Sequence, residues 1–373
     1  MKIVSKKSDL LNSVNIVLRA VSSKTTLPIL ECMVIDISDG QIKLISNDME
    51  LAIETIVKGD IIDDQGNKMI AVSAKVFSEI IRKLSDNDIM IQTDENYMVT
   101  ILCEKAKFTI AGKSAGEFPT IPRIEKQQPI VLSQFTLKEI IRQTVFSISD
   151  NESNKIMTGE LFEINKDEFR VVSLDGHRIS IRKIKLKENY GAIKVIVPGK
   201  TLIEISKILS GEIADEVTLY FTDKHVLFEL EDTIVLSRLI EGEYYKINQM
   251  LSNDYETKVV INKKEFFNCI DRSTLLIKES EKKPIIVGVK DNNMELKINS
   301  NIGSMKEEID ITKEGKDILI GFNPKFLMDV LRVVDDEEVT IYLINPKSPC
   351  FIKDKEESYI YLILPVNFNA ASV

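Results

Sequence analysis

One pattern occurs three times along this chain of 373 residues, at a constant spacing of 125. The copies open at Val72, Val197 and Phe322, where VSAK leads into VFSEIIRKL, VPGK into TLIEISKIL and FNPK into FLMDVLRVV. Stepping by 125 superposes Phe77, Leu202 and Leu327, then Ile80, Ile205 and Val330, then Leu84, Leu209 and Val334. These apolar positions stand at i, i+3 and i+7, the spacing of one face of an α-helix. Lysines recur at 75, 200 and 325, and a further basic residue at Arg82, Lys207 and Arg332. Chance rarely holds both buried and charged positions in register, so the chain reads as three homologous domains.

Each third follows one order: an amphipathic helix, strands, a second helix, more strands. The first helices are SDLLNSVNIVLRAVS, TLKEIIRQTVFSIS and KEFFNCIDRSTLLI, with Ser8, Ser133 or Thr136, and Asn262 as their expected N-caps. Runs of strand type, among them QIKLIS, FRVVSL and MELKINS, alternate with turn signals at Asp39–Gly40, Asp64–Gly66, Gly211 and Asp291–Asn293. Periodicity stops at GEFPTIP and GEYY, which places the domains at 1–124, 125–248 and 249–373.

With 44% hydrophobic residues and no Trp, the cores must be built from Ile, Leu and Val. The start, MKIVSKK, lacks the apolar run of a secretory signal, and nothing approaches the ~20 apolar residues of a membrane helix. Cys32, Cys103, Cys269 and Cys350 are scattered and form no CxxC pair, which argues against a disulfide framework or zinc site and for a reduced, cytoplasmic setting.

Candidate chemistry is sparse. The two histidines, His177 and His225, are in no metal-spaced pattern, and neither a GxSxG elbow nor a GxxxxGK[ST] loop occurs. No cofactor or metal is expected, and the chain reads as a non-enzyme. A polymerase-like nucleotidyltransferase would need clustered carboxylates for two metals. A repeat scaffold binding only proteins is a second rival.

The net charge of −9 argues against nucleic acid at first sight, yet one basic surface can coexist with an acidic remainder. Lys75 and Arg82, with their copies, share one helical face. Acids recur between them at Glu79, Glu204 and Asp329, so internal salt bridges compete with a ligand-binding role. First helices add Arg19, Arg142 and Arg272. If the helices of all domains line one surface, these charges form a basic lining. Six helices at roughly 9 Å spacing, closed in a ring, leave a bore of only about 7 Å. Twelve helices from two chains leave about 25 Å, enough for a hydrated double helix. A ring around DNA therefore requires a dimer closed head to tail.

LPIL at Leu27–Leu30, DGHR at Asp175–Arg178, VIVPGK at Val195–Lys200, IGFNPKFLMDVL at Ile320–Leu331 and the closing YLILPVNF stand in an order that closely resembles the bacterial sliding clamps, the beta subunits of DNA polymerase III. The resemblance covers essentially the whole chain. It implies an α+β fold of three DNA-clamp domains, each with two helices packed on antiparallel sheets, in a head-to-tail homodimer forming a six-domain ring. It implies double-stranded DNA, encircled without sequence preference, as the ligand. The implied protein partners are the replicative polymerase, the clamp loader and other proteins carrying the clamp-binding motif, and no membrane is involved.

Position by position, the resemblance implies DNA contacts at Lys24, Lys75, Asn151, Lys200 and Lys207; Lys325 is added from the internal repeat. It also implies an apolar pocket for a short linear motif ending in Leu and Phe. The matching positions are Met157, Leu174, Gly176, His177, Arg178, Ile179, Tyr245 and Met250, with Asn323, Phe326, Leu364, Pro365 and Val366 from the last third. Two departures bear on the pocket's shape. Leu364–Phe368 reads LPVNF in place of the usual MPMRL, with Asn369–Val373 beyond it, and Tyr244–Tyr245 stands where Phe-Pro is customary.

Overall fold

The computed structural model describes residues 1–22, 25–64, 66–277 and 283–368. They group into two compact units, one of residues 1–136 with 204–239, the other of 137–203 with 240–373. The units cut across the thirds because strand pairing does so. Each contains one antiparallel sheet.

In the first unit the sheet has 13 strands and runs from Ile130–Ser133 at one edge to Asp60–Asp63 at the other. Its middle joins Leu51–Val57 of the first third to Thr233–Arg238 of the second, with Leu51 opposite Ser237 and Thr55 opposite Thr233. In the second unit a 10-stranded sheet makes the corresponding junction. There the start of strand Arg178–Pro198 pairs with Tyr359–Ile363, Arg178 opposite Ile363. Interior positions are β-branched or aliphatic, as a pleated, half-buried surface favours.

Six α-helices occur among the described residues: α1 Lys7–Val17, α2 Ala74–Lys83, α3 Gln134–Thr144, α4 Gly199–Ser206, α5 Lys263–Thr274 and α6 Pro324–Val333. The expected second-helix face is buried in full at Leu202, Ile205, Leu209, Leu327, Val330 and Val334. In α2 it turns slightly: Phe77 and Leu84 are buried, Ile80 is half-buried, and Ile81 enters the core instead. At roughly 1.5–3 kcal/mol per buried large aliphatic or aromatic side chain, this stripe supplies most of each helix's stability.

The caps partly follow the reading. Asn262 Oδ1 accepts from the Glu265 amide at 3.0 Å. Of the alternatives Ser133 and Thr136, Ser133 caps α3, its Oγ accepting from the Thr136 amide at 3.0 Å. Ser8 is not the cap: α1 begins at Lys7, two residues before a cap at Ser8 would start it, behind Lys6 and without a side-chain cap, because strand Lys2–Lys6 runs straight into the helix. All four cysteines are buried and unpaired.

Candidate pocket and basic helix faces

The pocket residues all belong to the second unit. Their frame is the turn Asp175–Arg178. Asp175 Oδ1 accepts from the amides of His177 at 2.9 Å and Arg178 at 3.1 Å, and Gly176 takes φ +86°, a conformation that suits glycine. The turn is docked against the chain's last strand, since the Leu364 amide donates to the His177 carbonyl at 2.8 Å. The Val366 amide donates to the Gly321 carbonyl at 2.8 Å. A Cβ at Gly321 would stand 2.7 Å from the Val366 oxygen and 2.8 Å from the Phe368 ring, so only glycine lets the terminal segment lie this close.

Arg178 ties the turn to α6. Its Nε donates to Asp175 Oδ2 at 2.9 Å, its Nη1 to Asp329 Oδ2 at 2.7 Å, and its Nη2 to the Phe146 carbonyl. The guanidinium lies 4.5 Å from the Phe326 ring centroid, and His177 stacks on the same ring at 6.2 Å. Asn323 caps α6 by accepting from the Lys325 amide, which fixes Phe326 one turn into the helix.

The thirteen expected residues divide by exposure. Leu174, Arg178 and Ile179 are buried and form the floor, so Arg178 acts from beneath the surface. Gly176, His177, Met250 and Leu364 are exposed, with Met250 at 45% and Leu364 at 37%. Met157, Tyr245, Asn323, Phe326, Pro365 and Val366 are half-buried. Met157 and Tyr245 pack on the cluster that includes Leu174, Ile179 and Ile247. Tyr245 is held by Asn154, whose Nδ2 donates to the phenol oxygen at 2.7 Å. The result is a partly exposed apolar surface with polar atoms at its margin. Sequence reasoning missed Phe146, Gly321 and Asn154. Of these only Gly321 left a signal, as a glycine inside an apolar strand run.

The basic positions behave less uniformly. Lys75 is the second residue of α2 and Lys325 the second of α6; both are exposed, and neither side chain makes an ion pair among the described residues. Lys200 is exposed in the first turn of α4. Lys207, just after α4, pairs with Glu204 at 2.7 Å. Arg82 pairs with Glu79, and Arg332 with Asp329 at 3.4 Å. The rival salt-bridge reading therefore holds for the second basic residue of every copy. Arg19, Arg142 and Arg272 are likewise joined to Glu204, to Glu139 and Asp335, and to Glu307. Asn151 is exposed in a turn, its Oδ1 accepting from the Ser153 amide at 3.0 Å. Lys24 and the tail Asn369–Val373 lie outside the described residues.

No group of three His, Cys, Asp or Glu side chains is arranged as a metal-ligand set among the described residues. No described helix is long and apolar enough to cross a membrane.

Three family models together match most of the chain: the N-terminal domain of the DNA polymerase III beta subunit over residues 1–122, its central domain over 131–246 and its C-terminal domain over 248–367. The beta sliding clamp of Staphylococcus aureus is 32% identical over 374 residues, covering 98% of this chain and 99% of the relative. That of Bacillus subtilis is 34% identical over 376 residues, with the same coverage. Among solved structures, one from Eubacterium rectale described as a DNA polymerase III beta subunit superposes with TM-score 0.95 at 62% identity, covering 99% of this chain and all of that one. The Bacillus subtilis DNA polymerase sliding clamp superposes with TM-score 0.94 at 33% identity, again over 99% of this chain and all of its own.

Proposed function

The chain belongs to the DNA polymerase III beta-subunit family, the sliding clamps of DNA replication, and from that premise we propose that it encircles duplex DNA as a head-to-tail homodimer, tethers the replicative polymerase and performs no chemistry itself. The division into domains 1–124, 125–248 and 249–373 is part of this reading, as is a cytoplasmic location.

One observation carries the ring: among the described residues, two junctions between thirds use the same strand pairing, and the corresponding donor edge and acceptor edge of a third junction are left over. The Asp48 turn feeds Leu51–Val57 onto Thr233–Arg238, and the Asp175 turn feeds Arg178–Pro198 onto Tyr359–Ile363. The corresponding third turn is at Ser300, whose Oγ accepts from the Ile302 amide, and it opens strand Gly303–Gly315. Residues 303–310 of that strand pair on one side only, with Asn293–Ser300. Residues 106–111 of strand Ala106–Ser114 likewise pair on one side only, with Met98–Cys103, and Phe108 is 41% exposed there. An open strand edge, with its row of unpaired amides and carbonyls, is a template for another chain. Pairing 303–310 of one copy with 106–111 of the next repeats the internal junction and closes the assembly with two copies.

Held by topology, such a ring needs only sequence-blind attraction to phosphates. The lysines at 75, 200 and 325 and Lys207 suit that role, with Lys24 and Asn151, while the acidic remainder disfavours DNA outside. On nicked circular DNA the loaded protein will be retained through gel filtration, and cutting the circle once will release it. Equal loss from circle and linear form would sink the clamp reading.

The pocket of the second unit is proposed to receive the motif of polymerase, clamp loader and related partners. Truncating Met157 and Leu364 together to alanine removes two apolar walls. Calorimetry will show at least a tenfold loss of affinity for a peptide ending in Leu-Phe, about 1.4 kcal/mol, with the dimer intact by light scattering. Undiminished affinity would remove the pocket assignment.

A further inference from the structure

The same repeat that builds the pocket builds a second groove in the first unit. Asp48 Oδ1 accepts from the amides of Glu50 at 3.1 Å and Leu51 at 2.8 Å, as Asp175 does from His177 and Arg178. Met49 takes φ +77° where Gly176 takes +86°. The Arg238 amide donates to the Glu50 carbonyl at 2.9 Å, as that of Leu364 does to the His177 carbonyl at 2.8 Å. Pro119 follows the buried Phe118 as Tyr245 follows the buried Tyr244, each pair after Gly-Glu. Asn47 Nδ2 reaches the Pro119 carbonyl at 3.4 Å and holds that wall. Turn, terminal strand and connector thus meet in the same arrangement.

Between them lies a concavity of about 70 Å³, lined by Met49, Ala52, Pro119 and Leu236 with Glu50, His225 and Arg238 among its polar atoms. An apolar cavity that binds benzene has a volume of roughly 150 Å³, about twice as large. This one therefore admits a single aliphatic side chain. Its chemistry also differs at one decisive position: where the first pocket has Leu364, this groove has Arg238, exposed and without an ion pair among the described residues. Burial, with Arg238 and Lys224 nearby, holds the His225 imidazole below its ordinary pKa, so it stays uncharged at neutral pH. Met49 is an L-residue held at positive φ and 44% exposed, placing a flexible, polarizable side chain at the mouth.

We propose that this groove is a second docking site for linear peptides, one that takes an aliphatic anchor followed by a carboxylate, the anchor on Met49 and Pro119 and the carboxylate on Arg238. The inference rests on reading the homologous pocket as a peptide site, and its test keeps the two apart. The dimer is prepared with ¹³C-methyl methionine, the signal of Met49 being identified by its loss in Met49→Leu. It is titrated with acetyl-Ala-Leu-Asp-amide and, separately, with a peptide ending in Leu-Phe.

The Met49 methyl will shift with the first peptide and saturate with a Kd on the order of 1 mM, as a single anchor and one charge allow. Arg238→Glu will weaken that titration at least tenfold, and a Lys in place of the peptide's Asp will abolish it. The Met157 and Met250 methyls will follow the second peptide. A Met49 methyl that stays still, or that titrates unchanged in Arg238→Glu, overturns the second site whatever Met157 does. Static Met157 and Met250 beside a moving Met49 would instead remove the first pocket and leave this groove standing.

Discussion

Replacing Arg178 with alanine will destabilise the second unit by about 3–5 kcal/mol, the usual result of removing one partner from a buried ion pair. The side chain is 7% exposed and faces Asp175 and Asp329, themselves 14% and 12% exposed. Its loss leaves Asp175 with only its two backbone amide donors, takes the closer cation from Asp329, and vacates the space between the Phe146 and Phe326 rings. Asp329 retains only the longer contact with Arg332, at 3.4 Å. Lysine will not restore the site, because a single ammonium cannot reach two carboxylates and the Phe146 carbonyl in one plane. Denaturant unfolding of Arg178→Ala against the parent measures the loss. The double variant Arg178→Met/Asp329→Asn will recover a good part of it, by refilling the space and removing one stranded charge. If Arg178→Ala unfolds within 1 kcal/mol of the parent, the ion pairs contribute no more than a surface pair would.

The same side chain shows what could be read in advance. DGHR stood out as a motif, and the resemblance set Leu364–Val366 among the same pocket positions, but the depth of Arg178 did not show. An arginine at the end of a turn reads as exposed until a helix from another third lays Asp329 and Phe326 over it. The threefold repeat and the helix faces were legible because they follow local periodicity or fixed spacing, whereas the pocket positions came from the family resemblance alone.

Strand pairing between thirds was not legible. Nothing periodic in Leu51–Val57 announces Thr233–Arg238 as its neighbour, since that match is made by two turns and their hydrogen bonds. The recurrent cations were legible as positions only. Lys75 and Arg82 look alike in sequence, yet the i,i+3 acid engages Arg82 and leaves Lys75 to solvent, as Glu204 engages Lys207. The recurring acid stands four residues after the first base and three before the second, both a helical turn away, and it is the second that it engages in all three copies.

Repeat symmetry also exposes a position where the second third departs from its siblings, and the consequence is large. Glu160 pairs across its strand with Val197, as Met33 pairs with Val72 and Ile285 with Phe322. Those partners are themselves 125 residues apart, so Met33, Glu160 and Ile285 occupy one site of the repeat. All three are fully buried, and two are apolar.

Neither carboxyl oxygen of Glu160 has a hydrogen-bond partner among the described residues. The Thr144 hydroxyl beside it is already donated to the Ile140 carbonyl at 2.8 Å. Burial pushes the Glu160 carboxyl up from 4.5 to about 8, against a small opposing pull from Thr144. The titratable neighbour is Tyr244, whose own hydroxyl is raised by burial first and by Glu160 second and donates to the Val172 carbonyl. At neutral pH the folded chain therefore holds a proton that the unfolded chain releases.

The sign follows from linkage. A carboxyl whose folded pKa lies above its unfolded value costs nothing through ionisation below 4.5; the native state then loses stability as pH rises from 4.5 towards about 8, and the loss levels off above that. Glu160→Met restores the residue type of the first third. At pH 5 it will stabilise by about 1–3 kcal/mol, the cost of a buried polar group without a partner. The advantage will widen by up to about 1.4 kcal/mol per pH unit and reach a plateau above about pH 8. Because every other group is common to both proteins, the difference between their unfolding curves at each pH isolates Glu160. A difference that stays flat from pH 5 to 9, or a variant less stable than its parent, would mean that Glu160 is ionised and solvated in the native state.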